Sequence, residues 1–186
     1  LRKTERVEAL SGRLAADVGL GDLIPEATRA ARLARADLVT DMVREFPDLQ
    51  GVVGGLYARR DGEAESVWQA VYDHYLPAGA DDALPRDEVG RIVALADRLD
   101  TLAGFFALGL VPTGSRDPYA LRRAALGVVR ILLEGGIRLD LPAALAAARG
   151  LHEVQGATAE EVATSLHPFL LERLRFLLER RGFKHD

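Results

Sequence analysis

The stretch from Ile92 to Val111, IVALADRLDTLAGFFALGLV, holds only three charged residues, Asp97, Arg98 and Asp100. A helix of that composition is buried over most of its circumference, so the rest of the chain must be built around it. Asp97, Asp100, Thr101 and Gly104 recur at spacings of three and four, which gathers them into one narrow polar stripe on an otherwise apolar surface. An unpaired carboxylate taken out of water costs on the order of several kcal/mol or shifts its pKa. The two aspartates are therefore expected to meet an arginine, a metal ion or backbone donors at a helix end. The same charges argue against a membrane span, because each costs roughly 2.5 to 3.5 kcal/mol near the bilayer centre.

The chain has 186 residues, 48% of them hydrophobic and 28% charged, enough for one substantial core under a well-solvated surface. One domain over 1–186 is expected. A formal charge of -4 disfavours indiscriminate coating of nucleic acid or acidic membrane, although local patches can still bind. There is no cysteine, which removes disulfides, thiolate zinc sites and thiol nucleophiles and suits an intracellular, cytoplasmic protein. The opening LRKTERVEALSGRL carries no secretory signal and no initiator Met; Val7, Leu10 and Leu14 stand at helical spacing. It is expected to be the start of an internal segment of a longer polypeptide.

Helical signals continue to the end of the chain. Ile24 and Pro25 open a second run whose apolar face is Ala27, Ala30, Ala34, Leu38 and Met42, closed by Pro47. Asp48 is expected to cap a third helix, in which Gly51 and Gly54 or Gly55 point to close packing against another backbone. A fourth runs from about Ala64 to Tyr75 and stops at Leu76 and Pro77. Between Asp61 and Gly90 eight acidic residues face Arg86 alone, a surface that repels phosphate. Pro85 starts the central helix. After Val111, Asp117 is expected to cap the next helix with Pro118 at its first position, and Gly135 and Gly136 end it. Asp140 and Pro142 begin a short alanine-rich helix that ends near Gly150, and Thr158 with Glu161 forms a capping box. Pro168 is expected to kink or restart the last helix before the stripe Leu170, Leu171, Leu174, Leu177 and Leu178. No alternating run of strand length occurs, so the chain is predicted to be all-α, with about seven to nine helices.

Four blocks carry a family likeness: EFPDLQGVVGGLYA (45 to 58), DHYLP (73 to 77), ALADRLDTLAGFF (94 to 106) and PTGSRDPYALRRAALGVVRIL (112 to 132). In order and spacing they resemble the β subunit of bacterial heterotetrameric glycyl-tRNA synthetase, and the likeness extends loosely over the whole chain. The resemblance implies an internal domain that supports tRNA(Gly) binding and assembly. It also implies partners in the α subunit, tRNA(Gly) and the remaining β-subunit domains. ATP and Mg2+ would then act at the α subunit, with no cofactor in this segment. No Ser-His-Asp arrangement, dinucleotide fingerprint or HExxH sequence points to chemistry here.

A second resemblance concerns fold. LVTDMV (38 to 43) and LADRLDTL (95 to 102) are similar to the His-Asp and later Asp motifs of HD-domain phosphohydrolases, in which two or more imidazoles and aspartates hold metal ions that activate water. Asp41 and Asp97 match two of those ligand positions, while Thr40 stands where the paired His belongs and the early His is missing. The expectation is a vestigial pocket without metal, its aspartates capping helices or pairing with Arg98 or another arginine. His74 is the one imidazole placed to replace a lost ligand.

For tRNA contact, Arg116, Arg122, Arg123 and Arg130 concentrate positive charge between Pro112 and Leu133 against Asp117 alone. Thr113, Gly114 and Ser115 precede a helix and suit an anion. Trp68 and Tyr57 are aromatic candidates for base stacking, expected more often to be core. The alternatives in other classes are a metal-dependent HD-type nucleotide phosphohydrolase and a pure protein-interaction domain.

Overall fold

Asp87 fixes where the central helix begins: its carboxylate accepts the Gly90 N–H at 2.7 Å, an N-cap that leaves Glu88 in the first turn. The computed structural model describes residues 2–113 and 117–183. Among the described residues the secondary structure is entirely helical. The helices are α1 (Arg2–Asp17), α2 (Ile24–Leu33), α3 (Asp41–Glu45), α4 (Val52–Arg60), α5 (Glu65–Asp73), α6 (Glu88–Ala107), α7 (Leu121–Glu134), α8 (Leu141–Gly150) and α9 (Ala159–Arg180). Three short 3-10 turns join them. The all-α expectation holds.

Helix α6 is the axis. α1, α2, α5, α7, α8 and α9 all pack on it, and Leu95, Leu99 and Leu102 are fully buried there among Leu10 and Leu14 of α1 and Leu121 of α7. It stops at Ala107, four residues short of the predicted end. Gly109, at φ +70, takes the left-handed conformation that turns the chain, so Leu108, Leu110 and Val111 finish on the surface.

Several expectations about the segment before α6 need correction. The second run does not continue to Pro47: α2 ends at Leu33, and Thr40, extended at ψ 146, caps the separate short helix α3 through the Val43 N–H. That break throws Leu38 and Met42 out of register with Ala27 and Ala30, and both are exposed. Asp48 does not cap α4; α4 instead begins after Gly51, whose φ of +78 suits glycine and whose N–H is held by the Asp37 carboxylate at 2.6 Å. The glycines do mark close packing. A Cβ on Gly55 would lie 2.6 Å from Tyr72 Cβ, so α4 rests almost backbone to backbone on α5.

In the second half, Asp117 caps α7 as expected, accepting the Leu121 and Arg122 N–H groups at 2.8 and 2.9 Å. Pro118 lies outside the helix, because Ala120 at φ 54 turns the chain before α7 starts at Leu121. Asp140 caps α8 and the Thr158–Glu161 capping box opens α9. Pro168 does not restart α9, which continues to Arg180. Pro168 and Thr164 are both exposed, so water can satisfy the carbonyl that proline leaves without a donor. Of the final leucines, Leu170 and Leu177 enter the core, and Leu171 stays exposed beside a surface groove between α7 and α9. No helix among the described residues is long and apolar enough to cross a membrane.

Candidate functional site

The polar stripe of α6 is closed by side chains from three other parts of the chain. Arg35, just after α2, grips Asp97 with two parallel bonds, Nε to Oδ1 at 3.0 Å and Nη2 to Oδ2 at 2.8 Å. Lys3 of α1 adds its ammonium 3.2 Å from Asp97 Oδ1 and also binds the Thr101 hydroxyl. Asp100, 1% exposed, receives Arg6 at 2.6 and 3.2 Å and His152 Nε2 at 3.1 Å. Burial pushes both carboxyls up, yet Lys3 and Arg35 at Asp97, and His152 and Arg6 at Asp100, hold them below the usual carboxylate range. Gly104 completes the stripe by making room: a Cβ there would meet the His152 ring at 2.5 Å.

Of the expected arginine partners, Arg98 or another, it is another, Arg35, that pairs with Asp97. Arg98, 8% exposed, turns away from the Asp97 carboxylate and donates to the carbonyls of Ala94, His74, Tyr75 and Pro77 at 2.8, 3.3, 2.9 and 3.0 Å. It thereby satisfies the open end of α5. Burial lowers it to about 10, so it remains charged at neutral pH.

Asp41 also needs correction. It sits exposed at the start of α3 with Arg44 as its ion-pair partner at 3.4 Å, and it shares no partner with Asp97. The buried carboxylate of that segment is Asp37, four residues earlier. Its Oδ2 takes the Gly51 N–H, and its Oδ1 is buried with no hydrogen-bond partner among the described residues. No group of three or more His, Asp or Glu side chains converges there on a possible metal position, again among the described residues.

Beside Asp97 opens a cleft of about 420 Å3. Its walls come from the loop before α4 (Asp48, Gln50), the end of α5 (His74, Tyr75), α6 (Thr101) and the start of α7 (Tyr119, Arg123). His74 is 1% exposed. Its Nδ1 lies 2.7 Å from the Val71 carbonyl, which only accepts, so Nδ1 carries the proton and Nε2 is a lone-pair acceptor. That Nε2 is buried without a partner among the described residues, and burial pushes the imidazole down to about 4. Tyr75 packs on it with ring centres 3.8 Å apart; its hydroxyl is likewise buried and unpartnered, pushed up to about 12 by burial. The pocket expected between Asp41 and Asp97 therefore lies around Asp97, His74 and Tyr75, with a guanidinium standing against the carboxylate.

Of the four arginines assigned to tRNA contact, the three among the described residues do not form one face. Arg123 is exposed and lines the cleft. Arg122 is half-buried and engaged within the fold. Arg130 is 6% exposed and is used internally, on Glu134 at 3.1 and 2.8 Å and on the Gly79 carbonyl at 2.8 Å, where it pins the acidic loop to α7. Arg116 lies outside the described residues, as do Gly114 and Ser115 of the expected anion loop. Trp68 is half-buried under the Arg59 guanidinium, 5.3 Å from its ring centre, and Tyr57 is exposed; neither belongs to the core.

Sequence reasoning missed Lys3, Arg6, Arg35, Asp37 and His152. For Lys3 a signal existed: it stands four residues before Val7 in the stripe that continues through Leu10 and Leu14, a cation placed on a buried face. Arg35 immediately precedes a 3-10 turn and Asp37 lies within it, where helical periodicity says nothing.

A profile of the glycyl-tRNA synthetase beta subunit family matches residues 1–186. The chain is 52% identical over 186 residues to the glycine–tRNA ligase beta subunit of Aromatoleum aromaticum, covering 100% of this chain and 26% of that relative. It is 47% identical over 189 residues to that of Acidithiobacillus ferrooxidans, with 100% and 26% covered, and 46% identical over 191 residues to that of Moorella thermoacetica, with 100% and 28% covered. The chain spans about a quarter of the length of these curated relatives.

Proposed function

Because the chain belongs to the glycyl-tRNA synthetase beta subunit family, we propose that it is a non-catalytic helical segment of a glycine–tRNA ligase, holding tRNA(Gly) and supporting assembly of the enzyme. Its partners in this reading are the α subunit, tRNA(Gly) and the rest of the β chain, and ATP and Mg2+ act at the α subunit. The observation that carries the non-catalytic part is the Asp97 carboxylate, both of whose oxygens are taken by Arg35, with Lys3 beside them. A carboxylate so engaged does not coordinate a metal or accept a proton near neutral pH. This also weighs against the metal-dependent phosphohydrolase. The observation that favours tRNA over a pure protein-interaction role is Arg123, a cation at the mouth of the cleft in a protein that is acidic as a whole.

The test uses the full-length β chain with its α subunit. Arg123→Glu is expected to weaken tRNA(Gly) binding and to lower the slope of log affinity against log salt by about one. Glycine-dependent ATP–pyrophosphate exchange is expected to stay at the wild-type rate. Unchanged tRNA affinity sinks the contact, and lost exchange sinks the non-catalytic assignment.

A further inference from the structure

We propose that the cleft between the end of α5, α6 and the start of α7 receives one unpaired nucleotide of an RNA strand, its base turned in toward His74 and its phosphate held at the mouth by Arg123. This rests on the reading that the segment contacts tRNA, and adds the place and the form of the contact. The cleft's volume, about 420 Å3, lies within the range of roughly 300 to 1,000 Å3 typical of sites for small organic groups.

Two kinds of observation point to a ligand of this chemistry. The first is His74, a buried imidazole that lines the cleft, with its proton committed to the Val71 carbonyl and its Nε2 lone pair without a partner. A buried acceptor of this kind calls for an N–H or O–H donor, and the amino and imino groups of nucleobases supply one. The hydroxyl of Tyr75, which also lines the cleft, is likewise buried without a partner among the described residues and offers a donor. The second is the asymmetry between floor and mouth. Asp97 lines the cleft and Arg98 is spent on four carbonyls, so among the described residues a phosphate has no open cation inside. Arg123 at the rim is exposed. Tyr119 beside it is 49% exposed and braced by Phe105, ring centres 4.4 Å apart, which leaves part of its surface for stacking. Asp48 and Gln50 on the opposite rim add an acceptor and an amide for the base edge. Base inward, phosphate outward and an aromatic ring at the entrance match how proteins take a splayed nucleotide of single-stranded RNA.

The same chemistry is presented by a free nucleotide, and the experiment separates the two. In the full-length β chain with its α subunit, tRNA(Gly) affinity is measured for Tyr119→Ala and Gln50→Ala, both surface changes, alongside Arg123→Glu. A benzophenone side chain placed at position 119 is photolysed in the tRNA complex, and the four 5′-mononucleotides are titrated separately. Tyr119→Ala is expected to weaken tRNA roughly 5- to 150-fold, as loss of one stacked base does. Crosslinking is expected at a single nucleotide, and mononucleotides are expected to compete only weakly. If Arg123→Glu weakens tRNA while Tyr119→Ala and Gln50→Ala leave it unchanged, the nucleotide pocket falls and the tRNA contact stands. If all three leave it unchanged, both fall. If a mononucleotide binds tightly in a Tyr119-dependent way while tRNA affinity is indifferent to Tyr119, the occupant is a free nucleotide and the RNA assignment is overturned.

Discussion

His74 links stability to pH, and the sign follows from its burial. Its folded pKa is about 4 against an ordinary 6.5, because desolvation disfavours the imidazolium more than the Val71 carbonyl and the nearby Asp97 favour it. Asp37, Asp97 and Arg35 are the charged groups that act on it. Below about pH 6.5 the unfolded chain takes up a proton that the folded chain refuses. Stability is therefore fullest above that pH and falls steadily as the pH drops toward 4, by a total on the order of a few kcal/mol. Equilibrium denaturation at several pH values between 7 and 4.5 should show His74→Phe losing about one proton's worth of this slope; an unchanged slope would refute the assignment. Asp97 acts in a lower window. Its folded pKa is depressed, so its contribution is complete above the ordinary carboxylate value and disappears only as the pH falls below that value. At neutral pH, Asp97→Asn leaves Arg35 and Lys3 facing an amide. Each of those side chains is 31% exposed, which lets water recover part of the loss, and the expected cost is about 1 to 3 kcal/mol in urea denaturation. A cost near zero would mean that the stripe is not a latch.

Between elements, the contact of α6 with α7 turns on Gly127. Helix propensity alone makes Gly127→Ala stabilising by about 1 kcal/mol, since Gly127 lies inside α7. The added Cβ, however, would stand 2.3 Å from Arg98 Nε and 2.8 Å from its Cδ. Arg98 is tied to four carbonyls and cannot swing aside cheaply. Overpacking of this kind costs typically about 1 to 3 kcal/mol, so the variant is expected to be less stable than wild type, and a gain in Tm would contradict the packing described. This contact also marks what a sequence can and cannot disclose. The stripe on α6 and its need for cations were legible because they depend only on period and charge, both carried by one continuous segment. Which cation answers was not, because Arg35 and Lys3 lie 62 and 94 residues away along the chain. Arg98 was only one of the arginines expected, and helical geometry turns it away despite its adjacency to Asp97: neighbours in sequence point about 100° apart on a helix. The Asp41 assignment failed for a related reason. A motif aligned by its aspartate ignores that Thr40 caps a new helix and faces Asp41 outward, while Asp37, inside a 3-10 turn, is the residue that points in.

At the scale of the whole molecule, burial is uneven and local stability should follow it. α6 is covered by six helices along its length, with the core cluster running through Val93, Leu95, Leu99 and Phe106. The stretch from Ala36 to Gln50 is built differently. It consists of two 3-10 turns and the five-residue helix α3, and it leaves Val39 81%, Phe46 54% and Met42 43% exposed. Its attachments are few: Asp37 to the Gly51 N–H, and the burial of Val43. Helices this short do not persist without tertiary support. Amide hydrogen exchange of the full-length chain should therefore show α6 amides exchanging only through the largest opening event, while amides of residues 38–50 exchange through a local opening of much lower free energy. Urea should steepen the exchange of α6 strongly and leave that of α3 nearly flat, since only the former requires exposure of the core. The difference bears on function, because Asp48 and Gln50 form one rim of the cleft and His74 and Arg123 lie on better-packed elements. If the rim opens independently of α6, occupation of the cleft should slow exchange around residues 48–50 and leave α6 unchanged. Equal protection of both regions without tRNA would show instead that the rim is as rigid as the axis it borders.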